Sequence, residues 1–208
     1  MKFEELRLRI KKTGIFSFED IFKWFPESNR QTVKNQLRGW MAKGYLLRLK
    51  KNLYFLKETE LKDEFELANR LYEPSYVSLE SALNYYGIIP DVLFAVTSVT
   101  IKKTQKFKNQ FGFFLYRTLK PELFFGWEEV ELGEQQFCKI AKPEKALFDF
   151  LYLNQTSFGE NFPQEERFSF SKDFNWQEFK RYTQLVKTKS FRRLMEKLLL
   201  HKQQGSVA

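Results

Sequence analysis

Residues 17–56 most restrict what this chain can become. Two short amphipathic segments meet across a single Pro26-Glu27 turn, and a basic hairpin follows them. Ser17 and Asp20 have the spacing of a capping box, which predicts a helix to about Phe25 with Ile21, Phe22 and Phe25 on its apolar side. Ser28 and Gln31 repeat that spacing and predict a second helix through Lys43, closed at Gly44 by a left-handed turn. Two helices joined so tightly form a helix-turn-helix. Upstream, Phe3, Leu6 and Ile10 predict a helix over 2–12, ended by Thr13-Gly14, with Ile15-Phe16 extended. Downstream, 45–50 and 53–56 are strand-like, and Asn52 tolerates the left-handed conformation a tight hairpin needs. Three helices and a hairpin with a basic tip are the order of a winged helix, here over residues 1–57.

On a helical wheel over 28–43, Val33, Leu37, Trp40 and Met41 share one face. Gln31, Asn35 and Arg38 share the opposite face, flanked by Thr32 and Lys34. Amides suit adenine edges and a guanidinium suits guanine, so this is the candidate base-reading face. A polar face also marks any ordinary surface helix, so the wheel alone leaves both meanings open. Arg30 falls toward the buried edge and is at best a phosphate contact. Arg48, Lys50 and Lys51 at the hairpin tip are candidate contacts to flanking phosphate or the minor groove.

Charge placement separates the two meanings. Residues 1–57 hold 14 Lys and Arg against 5 Asp and Glu, whereas residues 58–208 hold 21 of each. The whole net charge of +9 therefore lies in the helix-turn-helix segment, which favours a polyanion, double-stranded DNA, as partner. Residues 172–202 carry 9 basic and 3 acidic groups, either a solvated helix face or a second contact. The single cysteine, Cys138, excludes an internal disulfide framework and fits a reducing cytoplasm. No apolar run approaches the roughly 20 residues of a membrane span, and the first residues are too charged for a secretory signal.

After a polar linker at 57–63, residues 64–203 are expected to form a larger α+β domain, with a mainly antiparallel sheet and C-terminal helices. Helices are expected over 64–72 (Phe65, Ala68 and Leu71 inward), 79–86 (capped by Ser78, closed by Gly87), 142–153 (Pro143 in its first turn), 175–187 (capped by Asn175 with Glu178) and 190–201, with fraying after Gln203. Strands are expected at 93–101, 111–119, near 129–132 and over 135–140, with 102–107 a basic turn or hairpin.

No enzyme signature is present, and no catalytic residue, metal site or cofactor is assigned. The only histidine, His201, sits near the end of the last expected helix. Glu144, Lys145 and Asp149 could hold a divalent cation in a nuclease-like site. The plainer account is an ordinary helical pair at i, i+4 with Glu144 favoured by the helix dipole. Ser78 is expected to cap and Ser81 to allow close helix packing. Tyr85 and Tyr86 suit core packing, or a pocket or interface. Cys138, between Phe137 and Ile140, is expected to be buried.

Two stretches, SLESALNYYGIIP (78–90) and IAKPEKALFDFLY (140–152), resemble the signature of the AbiEi family, the antitoxins of type IV abortive-infection toxin–antitoxin systems. The likeness covers most of residues 1–153. It departs at the hairpin, where Asn52-Leu53-Tyr54 stands in place of the family's frequent Gly before Tyr. The resemblance implies a transcriptional autorepressor that binds promoter inverted repeats through the winged helix. It also implies that the later domain counters a nucleotidyltransferase-like toxin, generally without a stable complex. Ser78, Glu80, Ser81, Tyr85, Tyr86, Pro143, Glu144, Lys145 and Asp149 are the positions that carry the motif of that later domain. Two other classes stay open: an antitoxin that binds its toxin directly, with DNA binding secondary, and a nuclease built on Glu144 and Asp149.

Overall fold

A computed structural model describes residues 1–10, 14–61, 63–132, 137–159, 162–163 and 167–205, with no side chains described beyond His201. The N-terminal part runs α1 (Phe3–Ile10), β1 (Ile15–Ser17), α2 (Phe18–Trp24), α3 (Arg30–Ala42), β2 (Leu46–Lys50) and β3 (Leu53–Leu56). Its three strands pair antiparallel in the order β1-β3-β2. Positions 11–13, expected to end α1, lie outside the described residues.

The capping box at α2 forms as its spacing predicts. Ser17 Oγ accepts from Asp20 N–H at 3.1 Å, and Asp20 Oδ2 accepts from Ser17 N–H at 2.9 Å. The expected box at α3 does not form. Asn29 caps instead, its Oδ1 accepting from Gln31 N–H (2.9 Å) and Thr32 N–H (3.2 Å). Ser28 belongs to the preceding turn, where its N–H closes onto the Phe25 carbonyl at 3.1 Å. At the other end Gly44 takes φ 73°, which lets Tyr45 N–H return to the Trp40 carbonyl at 2.9 Å. Asn52, at φ 63°, makes the hairpin turn without a glycine.

The later part runs α4 (Glu64–Leu71), β4 (Ser75–Val77), α5 (Leu79–Tyr85), β5 (Val96–Thr100), β6 (Gln105–Asn109), β7 (Gly112–Thr118), a 3-10 turn (Pro121–Leu123), β8 (Trp127–Glu131), β9 (Phe137–Ala141), α6 (Pro143–Asn154), α7 (Trp176–Thr183) and α8 (Lys189–Gly205). Six strands form one sheet in the order β6-β7-β5-β4-β9-β8. β5–β7 and β4–β9 pair parallel, and the other three pairs are antiparallel. The fold is thus mixed α+β, with helices at both ends of the chain.

Several boundaries differ from expectation. β4 is central to the sheet but only three residues long, too short to show a period in the sequence. The basic stretch at 102–107 leads into strand β6, the hairpin partner of β7 and an edge of the sheet. β5 starts at Val96 rather than 93, and β8 starts earlier, at Trp127. Positions 135–136 lie outside the described residues. α7 ends at Thr183, because the chain turns there to bury Val186. The α8 backbone runs to Gly205, past the expected end, and 206–208 lie outside the described residues.

Two apolar cores divide the molecule, and β3 belongs to both. Tyr54 and Leu56 join Leu6, Ile10, Phe16, Ile21, Val33, Leu37 and Leu46 in the N-terminal core. Leu53 and Phe55, one residue out of phase, join the core of the six-stranded sheet together with Ile15 and Leu49. Phe55 meets Phe111 edge-on, with centroids 5.0 Å apart. The period of two along a strand is what lets one small sheet serve both sides. Burying each of these four apolar side chains contributes about 1.5–3 kcal/mol. Gly14, at φ 69°, sits against this joint: a Cβ there would lie 2.7 Å from the Phe55 ring and 2.9 Å from Thr59. Lys62, within the expected linker, lies outside the described residues.

Candidate nucleic-acid interface and a buried polar cluster

The wheel drawn from the sequence matches the exposure of α3. Val33 and Leu37 are buried and Trp40 and Met41 half-buried, while Gln31, Thr32, Lys34, Asn35 and Arg38 are exposed. Gln31 Nε2 donates to Asn35 Oδ1 at 3.2 Å, one turn along, which orders the two amides and leaves each further donors. Arg30 turns back from this face to pair with Glu19 and lie over the Phe22 ring at 4.6 Å.

At the hairpin, Arg48 and Lys51 are exposed. A register shift between Arg48 and Lys50 bulges β2, and Arg48 Nε reaches back to the Lys50 carbonyl at 3.4 Å. Lys50 does not belong to the tip. Its ammonium donates to the Leu71 carbonyl at the end of α4 and lies 5.7 Å from the Phe107 ring centre. Burial holds its pKa below the ordinary lysine value. The bulge changes which way this side chain faces, an outcome that strand alternation alone does not reveal.

The residues of the later motif separate into three settings. The first is a sealed polar cluster between β4 and α6. Tyr76 hydroxyl and Ser78 Oγ each donate to Asp149 Oδ2 at 2.9 Å, and the Lys145 ammonium pairs with Asp149 Oδ1 and donates to the Tyr76 hydroxyl at 2.9 Å. None of these four side chains is accessible. The Tyr76, Phe125 and Phe148 rings surround the ammonium at 5.5, 5.0 and 5.1 Å. Gly126 packs on the lysine stem, where a Cβ would lie 3.0 Å from Lys145 Cγ. Burial pushes Asp149 up and Lys145 down, and each is opposed by the other's charge. Lys145 and Asp149 are therefore the expected pair at i, i+4, and the pair is fully buried. Ser78 stands at the start of α5 without a side-chain cap bond, because its hydroxyl is committed to Asp149. The next residue, Leu79, is buried at φ 58°, a strained conformation for a leucine.

The second setting ties elements together. Glu144 does more than answer the helix dipole: its carboxylate accepts from Asn175 N–H at 2.7 Å, joining the start of α6 to the start of α7. Pro143 occupies the first turn of α6, as expected. Ser81 exchanges hydrogen bonds with Thr97 of β5, its Oγ accepting from Thr97 N–H at 2.8 Å and its N–H donating to Thr97 Oγ1 at 3.0 Å. Arg117, not singled out in the sequence, closes the other end of α6 by donating to the Leu153 carbonyl (2.8 Å) and Asn154 Oδ1 (2.6 Å).

The third setting is at the surface. Glu80 is half-buried, and Tyr85 is exposed rather than in the core. Tyr86 is half-buried, with its hydroxyl 3.4 Å from Glu128 Oε1. Beyond them Val92 is 83% exposed and Phe94 90% exposed. Cys138 is buried, and burial pushes its thiol up to about 12. His201 is exposed.

Among the described residues, no group of three or more His, Cys, Asp or Glu could hold a metal ion. No described helix is long and apolar enough to cross a membrane. In comparisons with protein-family models and with curated proteins, nothing matched this sequence.

Proposed function

We propose that the chain is a DNA-binding transcriptional regulator whose N-terminal part acts as a winged helix, with α3 in the major groove and the β2–β3 hairpin beside it. The observation that carries this is the uncovered outer face of α3: five polar side chains are exposed on a helix whose opposite face is buried. α3 has 13 residues, so it spans about 20 Å, enough to cross the groove. Gln31, Asn35 and Arg38 read base edges; Thr32, Lys34, Arg48 and Lys51 hold phosphate. Lys50 is left out, since its charge is used inside the molecule.

By the resemblance of residues 78–90 and 140–152, the chain is an AbiEi-type autorepressor and antitoxin, cytoplasmic and not an enzyme. Its operator contains inverted repeats, and its later domain counters a nucleotidyltransferase-like toxin without a lasting complex. A gel-shift titration on DNA upstream of its own gene tests the repressor role. Binding to an inverted repeat there is the expected result, and no shift at low salt ends the proposal. The alternative, direct capture of the toxin, is favoured by one observation, the exposed apolar Tyr85, Val92 and Phe94. Co-purification of a stoichiometric complex through moderate salt would select it.

A further inference from the structure

We propose that a pocket at the start of β4 binds a small planar aromatic molecule carrying both an anionic and an amino group. The cavity measures about 410 Å³, within the range of small-molecule sites. It arises where the sheet is incompletely paired. β4 meets β9 at Val77–Ile140, and upstream of that pair the Asn69 side chain takes up both the N–H and the carbonyl of Lys139.

Three features of the lining select the ligand. Ser75 borders the cavity, 5% exposed, and its Oγ is sealed from solvent without a hydrogen-bond partner. A buried hydroxyl left unpaired is costly, so a ligand group that parts the lining to reach it is favoured. Phe124 and Trp127 form an aromatic wall, and Trp127 is held in place by stacking on Tyr76 at 4.9 Å. Charges of both signs line the rest. Arg70 and Lys139 suit an anion, and Glu73 and Glu129 suit an amino group. Arg70 lies 3.5 Å from both Asp20 and Glu73, so its guanidinium has room for a closer partner. An aromatic amino acid and a nucleotide with an exocyclic amine share the required chemistry.

The site also touches the helix-turn-helix. Asp20, which Arg70 meets, is the capping-box residue of α2. Drawing Arg70 onto a ligand loosens that contact, so occupancy alters operator affinity. That consequence rests on the DNA-binding proposal above, whereas the site itself does not.

The test is calorimetric titration of the full chain with L-tryptophan, L-tyrosine, AMP and CMP. Tryptamine, indole-3-propionate and adenosine serve as probes lacking one charged group. Expected is saturable binding by the amino acids or by the nucleotides, weakened roughly tenfold when either group is missing. The class that binds identifies the source. Ser75→Ala and Arg70→Gln should each weaken binding by roughly fivefold, while Lys108→Gln on the distant β6 edge leaves it unchanged. If Arg70→Gln does not fold, Lys139→Gln tests the same anion contact. No saturable heat up to millimolar probe, or binding indifferent to the pocket variants, overturns the proposal. A second titration measures operator affinity with and without the bound probe. No change removes the coupling alone, and failure to bind DNA at all removes the regulator proposal while the calorimetry still decides the site.

Discussion

On α3, Gln31, Asn35 and Arg38 stand in solvent with most of their hydrogen-bonding capacity unspent. Around Asp149, four polar groups sealed from solvent satisfy one another. Both sets are polar, and burial separates them. A group left in water costs folding little and is free to recognise a partner. A group taken out of water must be met inside the protein, and its removal leaves the others unpaired. The first arrangement leaves its polar groups open to solvent. The second holds β4, α5 and α6 in register.

Breaking the inner arrangement should give the largest effect. Lys145→Met leaves the Asp149 carboxylate buried and uncompensated, at about 3–5 kcal/mol of stability by urea unfolding. Adding Asp149→Leu should restore much of that loss; a double variant no more stable than the single one would show that the two charges do not act as a pair. On the outer face the same kind of truncation should leave stability within about 0.5 kcal/mol. Arg38→Ala is expected instead to lose roughly 1–3 kcal/mol of discrimination between operator and altered sequence, read by competition gel shift. Lys51→Ala should weaken all sequences alike and reduce the salt dependence by about one counterion. If Arg38→Ala behaved like Lys51→Ala, α3 would be gripping phosphate rather than reading bases.

The smallest effect concerns pH. Burial works against the charged form of Asp20, but the Lys23 ammonium and the Ser17 N–H and hydroxyl outweigh it and hold the carboxyl below its ordinary 3.8. A folded-state pKa below the unfolded one gives stability that is complete above the unfolded value and is lost as pH falls from there through the folded value. Asp20→Asn should therefore flatten the acid limb of thermal stability below about pH 4, with little change in the slope near neutrality.

Both arrangements left unequal traces in the sequence. The faces of α3 were legible because a helix repeats its side-chain pattern over 13 residues. The Asn52 turn was legible because few residues adopt its backbone comfortably. The cap of α3 was misplaced by one residue, since Ser28 and Asn29 are both good caps and the Phe25 turn decided between them. The polar cluster was half legible. Lys145 and Asp149 are near in sequence, but Tyr76 and Ser78 lie about seventy residues away, on a strand too short to announce itself. Lys50 was misassigned because a bulge reverses the direction that simple alternation gives it.

The strand shared between two cores has a consequence for modularity. With alternate residues of β3 committed to opposite sides, a cut after the hairpin would expose Ile15, Leu49, Leu53 and Phe55 together on one sheet face. The N-terminal unit is therefore not a cassette that recombination could move between proteins unchanged. Wherever it travels, it needs a host surface shaped like the β6–β7 hairpin, or a new set of polar residues on the face it has left bare.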